Sequence, residues 1–129
     1  MTQEDKELLL KDLCARLPYK IKASYYDAEE GCETWDEIEG NTLDGYVDIG
    51  QYSLPIESIK PYLFPLSSMN EKEWEDYQKI RMIDWAHGDI NGTFINAGLI
   101  VDWLNAHHFD YRGLIPMGLA IDATGLNIY

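Results

Sequence analysis

Tyr19-Lys20-Ile21-Lys22-Ala23-Ser24-Tyr25 is the stretch that decides the fold. Tyr19, Ile21, Ala23 and Tyr25 alternate with Lys20, Lys22 and Ser24, the two-residue period of a strand with one wet face. Asp27-Ala-Glu-Glu-Gly31 then reads as a turn. Cys32 to Ile38 follows as a second strand, with Thr34, Asp36 and Ile38 on one face, and Glu39-Gly-Asn41 turns again. In Leu43 to Ile49, Leu43, Gly45, Val47 and Ile49 alternate with Asp44, Tyr46 and Asp48, which makes a third strand. Gly50-Gln51 turns the chain into Tyr52-Ser53-Leu54. Sequential strands joined by short loops form an antiparallel meander.

Helices flank this core. Residues 3–17 carry Leu9, Leu13 and Leu17 four apart with Leu10 and Cys14 beside them, one apolar stripe. Thr2 and Asp5 resemble a capping box at its start, and Pro18 stops it. Pro55, Pro61 and Pro65 bracket Ile56 to Phe64, which reads as a connector with one helical turn. Ser68 and Glu71 stand three apart, so a capping box, with Asn70 or Ser68 as cap, opens a helix to about Trp85. Trp74, Tyr77, Ile80 and Ile83 are three apart along it, and His87-Gly88 ends it. A last helix is expected from about Thr93 to His108, and Leu114 to Ile121 adds a short strand or packs over the core. The expected class is α+β: an N-terminal helix, a three-stranded antiparallel meander, and two C-terminal helices packed on one face. Residues 1–129 read as a single domain, long enough for one real core.

Charge is distributed unevenly along this frame. Between Lys22 and Lys60 there is no Lys or Arg, yet there are ten acids: Asp27, Glu29, Glu30, Glu33, Asp36, Glu37, Glu39, Asp44, Asp48 and Glu57. That interval supplies ten of the thirteen net negative charges; elsewhere thirteen acids face ten bases. Such a field repels nucleic-acid phosphates and anionic lipid surfaces, which argues against direct nucleic-acid binding and membrane association. No run approaches the apolar length of a spanning helix, and the charged N-terminus does not read as a signal peptide. Two cysteines with no CxxC fit a reducing compartment, hence a cytoplasmic location. Neither reads as a nucleophile. Cys14 sits on an apolar stripe and is expected buried; Cys32 lies among acids.

Three segments carry a resemblance. They are Ile59-Lys-Pro-Tyr-Leu63 running on through Pro65-Leu-Ser-Ser-Met69-Asn-Glu-Lys-Glu73, then Leu104-Asn-Ala-His-His-Phe-Asp-Tyr-Arg-Gly-Leu-Ile115, and Gly118-Leu-Ala-Ile-Asp122. With these, roughly residues 59–122 resemble a set of short proteins of Bacteroides-type gut bacteria, their prophages and mobile elements. The resemblance implies a bacterial cytoplasmic setting, phage or mobile-element genes included. It carries no activity, substrate or catalytic residue.

Two places could hold chemistry. His107, His108 and Asp110 could bind a divalent metal or form a His–carboxylate acid/base pair. Adjacent histidines on a helix point about 100° apart, and no HExxH or CxxC accompanies them. The simpler reading has histidine at a helix C-terminus bonding the last carbonyls, with Asp110 and Arg112 paired across the next turn. His87, Asp89, Asn91 and Gly92 resemble part of a calcium loop, but the twelfth position is Gly98, so the bidentate acid is missing. The nucleotide-binding, hydrolase and phosphate-loop motifs are absent. The four tryptophans and nine tyrosines are expected mainly as core; Tyr25, Tyr26 and Tyr46 stand among the acids.

The first expectation is therefore a non-enzymatic interaction module without a cofactor. It presents Asp27, Glu29, Glu30, Glu33, Asp36, Glu37, Glu39, Asp44 and Asp48 to a basic protein surface; a nucleic-acid mimic is one form of this. The second is a metal-binding protein or metal-dependent enzyme around His107, His108 and Asp110. The third is a protein with no site of its own that acts within an assembly.

Overall fold

A computed structural model describes the backbone of residues 1–41, 44–86 and 99–129 and the side chains of 1–40, 44–80 and 99–129. Helix α1 spans Gln3–Arg16. Its capping box is formed: the Asp5 N–H donates to Thr2 Oγ1 at 3.1 Å and the Thr2 N–H to Asp5 Oδ2 at 3.2 Å. Leu9 and Leu13 are fully buried. Cys14, expected on the buried stripe, is exposed. One residue beyond Leu13 it lies about 100° around the helix, and Asp12, Leu13 and Arg16 take the inward positions instead.

The strands are β1 (Lys22–Asp27), β2 (Cys32–Asn41), β3 (Tyr46–Ile49), β4 (Tyr52–Pro55), β5 (Lys60–Pro65), β6 (Phe109–Asp110) and β7 (Ile121–Asp122). Helix α2 spans Glu71–Ala86, and residues 99–106 are helical (α3). Among the described residues the sheet has seven strands in the order β4-β3-β2-β1-β5-β6, with β7 also on β5. The α+β class and the antiparallel pairing of the first three strands match the alternation in the sequence. Glu39-Gly-Asn41, expected as a turn, instead continues β2 past a register shift between Ile38 and Gly40, and β4 is a further hairpin strand. The three-stranded limit does not hold, because the sheet continues through β5 and becomes mixed: β6 and β7 run parallel to β5.

β5 is the strand the prolines concealed. Its ladder with β1 covers only Ala23↔Pro61 and Ser24↔Lys60. Farther along, its bonds run to the C-terminal segments: the Phe64 N–H donates to the His108 carbonyl and the Ala123 N–H to the Leu63 carbonyl, both at 2.8 Å. Pro61 and Pro65 fall near the ends of the strand, where a missing donor is tolerated.

The two faces of the sheet have different covers. Ile21, Ala23, Tyr25, Val47, Ile49 and Leu63 pack with Leu9 and Leu13 of α1 and with Leu114 and Leu119 in the main core. Each buried Val, Leu or Ile among them contributes roughly 1.5–3 kcal/mol as an upper estimate. Tyr62, Ala123 and Ile128, joined by Phe64 and Ile121, form a smaller cluster. Among the described residues neither cluster includes α2 or α3. A row of rings ties these helices together instead: Trp74–Tyr77, Tyr77–Trp103 and Trp103–Phe109, at 5.9, 5.8 and 5.6 Å. Asn70 caps α2, accepting the Glu73 N–H at 2.8 Å while Glu73 accepts the Asn70 N–H at 3.0 Å. Ser68 donates to the Pro65 carbonyl instead. The start expected for α3 near Thr93, the Gly88 stop, Leu43 and the calcium-like loop lie outside the described residues.

Candidate functional site

The acidic interval builds β1 to β4 and their turns. In the β1–β2 ladder Lys22 faces Glu37, Ser24 faces Trp35 and Tyr26 faces Glu33, while Ala23 faces Asp36 and Tyr25 faces Thr34. Cross-strand partners share a face. Glu33, Trp35 and Glu37 therefore stand with Tyr26 and Lys22 on the face opposite Ala23 and Tyr25. Asp48, flanked by the buried Val47 and Ile49, also points away from the core. Trp35 and Tyr26 are 45% and 57% exposed.

Asp36 shares the core side of the ladder yet is exposed, and its Oδ2 would stand 3.9 Å from a Cβ at Gly50, which puts it with the turn residues at the sheet's tip. Tyr52 donates to Asp27 Oδ1 at 2.7 Å, and the same oxygen accepts the N–H groups of Glu29 and Glu30 at 3.0 and 3.2 Å. The Tyr52 bond, then those of the backbone, hold the Asp27 carboxyl below its usual range. Gln51 donates to Glu29 Oε2 at 3.4 Å. Gly50 closes this tip with φ +59°, and a Cβ there would stand 2.6 Å from the Tyr25 hydroxyl. Only glycine meets both demands without strain.

Asp44 and Glu57 lie at the other end, in a cleft of about 330 Å³ lined also by Lys6, Glu7, Leu10 and Ile56. Lys6 reaches Glu57 at 3.8 Å. Among the described residues, Asp27, Glu29, Glu30, Glu33, Asp36, Glu37, Glu39, Asp44 and Asp48 make no ion pair. Glu39 falls at the register shift between Ile38 and Gly40. The structure thus gathers the nine on one meander and divides the other eight among an outer face, a tip and a cleft.

His107, His108 and Asp110 are not gathered as a ligand set, and no group of three or more potential metal ligands occurs among the described residues. The His107 Nδ1–H donates to the Trp103 carbonyl at 2.8 Å, and its ring stacks on Trp103 at 4.2 Å. His108 turns the chain out of α3 at φ +62° and stacks on Tyr129 at 3.7 Å. Burial first, then Arg16, His107 and Lys22, push its pKa down to about 4, so the ring is neutral at pH 7. Asp110 is buried, and its two oxygens accept the N–H groups of Leu114 and Ile115, both at 2.9 Å.

Arg112 does not pair with Asp110. It bonds Asp12 Oδ1 at 3.2 Å, while Arg16 holds Asp12 Oδ2 at 2.7 Å and the Phe109 carbonyl at 2.6 Å. Both guanidinium groups sit over the Tyr111 ring, whose hydroxyl donates to Asn105 at 2.9 Å. This buried network joins α1 to the turn after α3. The only local trace of it in the sequence is the Asp12/Arg16 spacing of four.

No protein-family model, no curated protein and no solved structure matches this chain. Among the described residues no helix is long and apolar enough to cross a membrane.

Proposed function

We propose that this protein is a non-enzymatic interaction module whose β1–β4 meander docks onto a basic surface of a partner protein. The observation that carries this reading is the set of nine carboxylates on one meander, none in an ion pair among the described residues. Such a surface retains its potential for a partner instead of spending it inside the fold. The same field disfavours direct binding to nucleic acid or to an anionic membrane. The resemblance of residues 59–122 supports a bacterial cytoplasmic setting, with phage or mobile-element genes as its source.

The test compares two variants of equal charge. In one, Glu29, Glu30, Glu33 and Glu37 become Gln; in the other, Glu4, Glu71 and Glu75 become Gln and Asp102 becomes Asn, all exposed on the helices. A labelled basic peptide should bind the wild type about tenfold more weakly when salt rises from about 0.05 to about 0.3 M. The meander variant should lose most of that binding and the helix variant little. Equal losses, or binding indifferent to salt, would overturn the reading.

A further inference from the structure

We infer that the open outer face of β1 and β2 recognises arginine side chains of the partner, by stacking on Trp35 and Tyr26 between Glu33 and Glu37. This rests on the acidic-module reading above and adds the partner's side-chain chemistry. On that face the strands present Glu37 opposite Lys22, Trp35 opposite Ser24, and Glu33 opposite Tyr26. Same-face neighbours along a strand stand about 6–7 Å apart, so Trp35 has Glu33 and Glu37 one step away on β2, while Tyr26 has Glu33 directly across the ladder. A guanidinium laid on a ring can then turn its N–H fork toward the adjacent acid.

The face already holds one cation. The Lys22 ammonium lies 5.1 Å from the centre of the Trp35 ring and 5.5 Å from that of Tyr129. It donates to the Ile128 carbonyl at 2.7 Å, so the protein's own chain shows the geometry a positive group adopts beside Trp35. The site is bounded. The opposite side of β1 carries Ile21, Ala23 and Tyr25 into the core under α1, and at β5 the Tyr62 side is packed with Ala123 and Ile128. A second copy of this chain is the wrong occupant, because two bodies of net charge -13 repel. Arginine fits better than lysine. A planar guanidinium stacks and bonds at once, whereas an ammonium is a compact, strongly hydrated point charge.

The experiment uses fluorescently labelled hexa-arginine and hexa-lysine amides at physiological ionic strength, with anisotropy for affinity and backbone amide shifts for location. Hexa-arginine should bind about fivefold or more tightly than hexa-lysine. Trp35→Ala and Tyr26→Ala should abolish that preference, leave hexa-lysine affinity within about twofold and spare the fold, since both rings are exposed; Trp35→Phe should keep most of it. In the wild type, hexa-arginine should shift the amides of Tyr26 and of Glu33 through Glu37. Salt-sensitive binding of both peptides without an arginine preference, or shifts centred on the Asp44–Glu57 cleft, overturns the arginine inference and leaves the acidic module standing. Salt-sensitive binding of neither peptide overturns both.

Discussion

His108 shows most directly how one residue's surroundings set its chemistry. Its left-handed backbone is costly for a residue with a Cβ, on the order of 1 kcal/mol. The turn delivers its carbonyl to Phe64 and its ring to Tyr129, whose hydroxyl donates to the Tyr62 carbonyl at 2.9 Å and accepts the Lys22 N–H at 2.9 Å. With a pKa near 4 in the fold against the ordinary 6.5, the unfolded chain binds the extra proton between those values. Stability therefore falls as pH drops from 6.5 to 4, and below that the loss is complete and this group adds no further slope. With its ring part-exposed, the loss should be about 1–2 kcal/mol. Urea midpoints for wild type and His108→Asn across that range check it; the variant should lose the slope that His108 supplies. An equal slope in both would show that this imidazole is solvated. In the sequence His107 and His108 looked equivalent. Only the stack on Tyr129, twenty-one residues away, tells them apart.

Among the elements, α1 is held by more than Leu9 and Leu13. Asp12 is buried between Arg16 and Arg112; burial pushes its carboxyl up while the two guanidinium groups draw it back down. Removing it leaves the two guanidinium groups without the carboxylate that bridges them. Asp12→Ala should cost about 3–5 kcal/mol, against about 1 kcal/mol for Asn70→Ala at the α2 cap, read as urea midpoints at constant slope. A loss under about 1 kcal/mol at Asp12 would mean that water reaches the guanidinium groups. The short-range features could be read from the chain: the Thr2–Asp5 box, the alternation from Ile21 to Tyr25 and the turn at Gly50. β5, β6 and β7 could not, because two of them are two residues long and the third holds two prolines. Their pairing is specified by partners forty to sixty residues away.

At the scale of the whole molecule, the unpaired acids that make the candidate surface also strain the fold by mutual repulsion. Screening should relieve this. Raising salt from about 0.01 to about 0.3 M should lift the melting temperature by a few degrees, on the order of 0.5–1 kcal/mol. The variant with Gln at 29, 30, 33 and 37 should start higher and respond less in a calorimetric scan; an unchanged midpoint in both would show that the acids lie too far apart to interact. The sequence by itself determined the α+β class, the capping box of α1, the β1–β2 hairpin and the ten-acid interval without a base, since each depends on neighbours within a few residues. Only the tertiary structure decided that, among the described residues, the sheet runs to seven strands and that Arg112 answers Asp12 and not Asp110. It also decided that the acids divide between an aromatic outer face, a tip and a cleft. Those outcomes depend on which strands become neighbours, and alternation along a chain gives the period of a strand without naming its partner or which of its faces another element will cover.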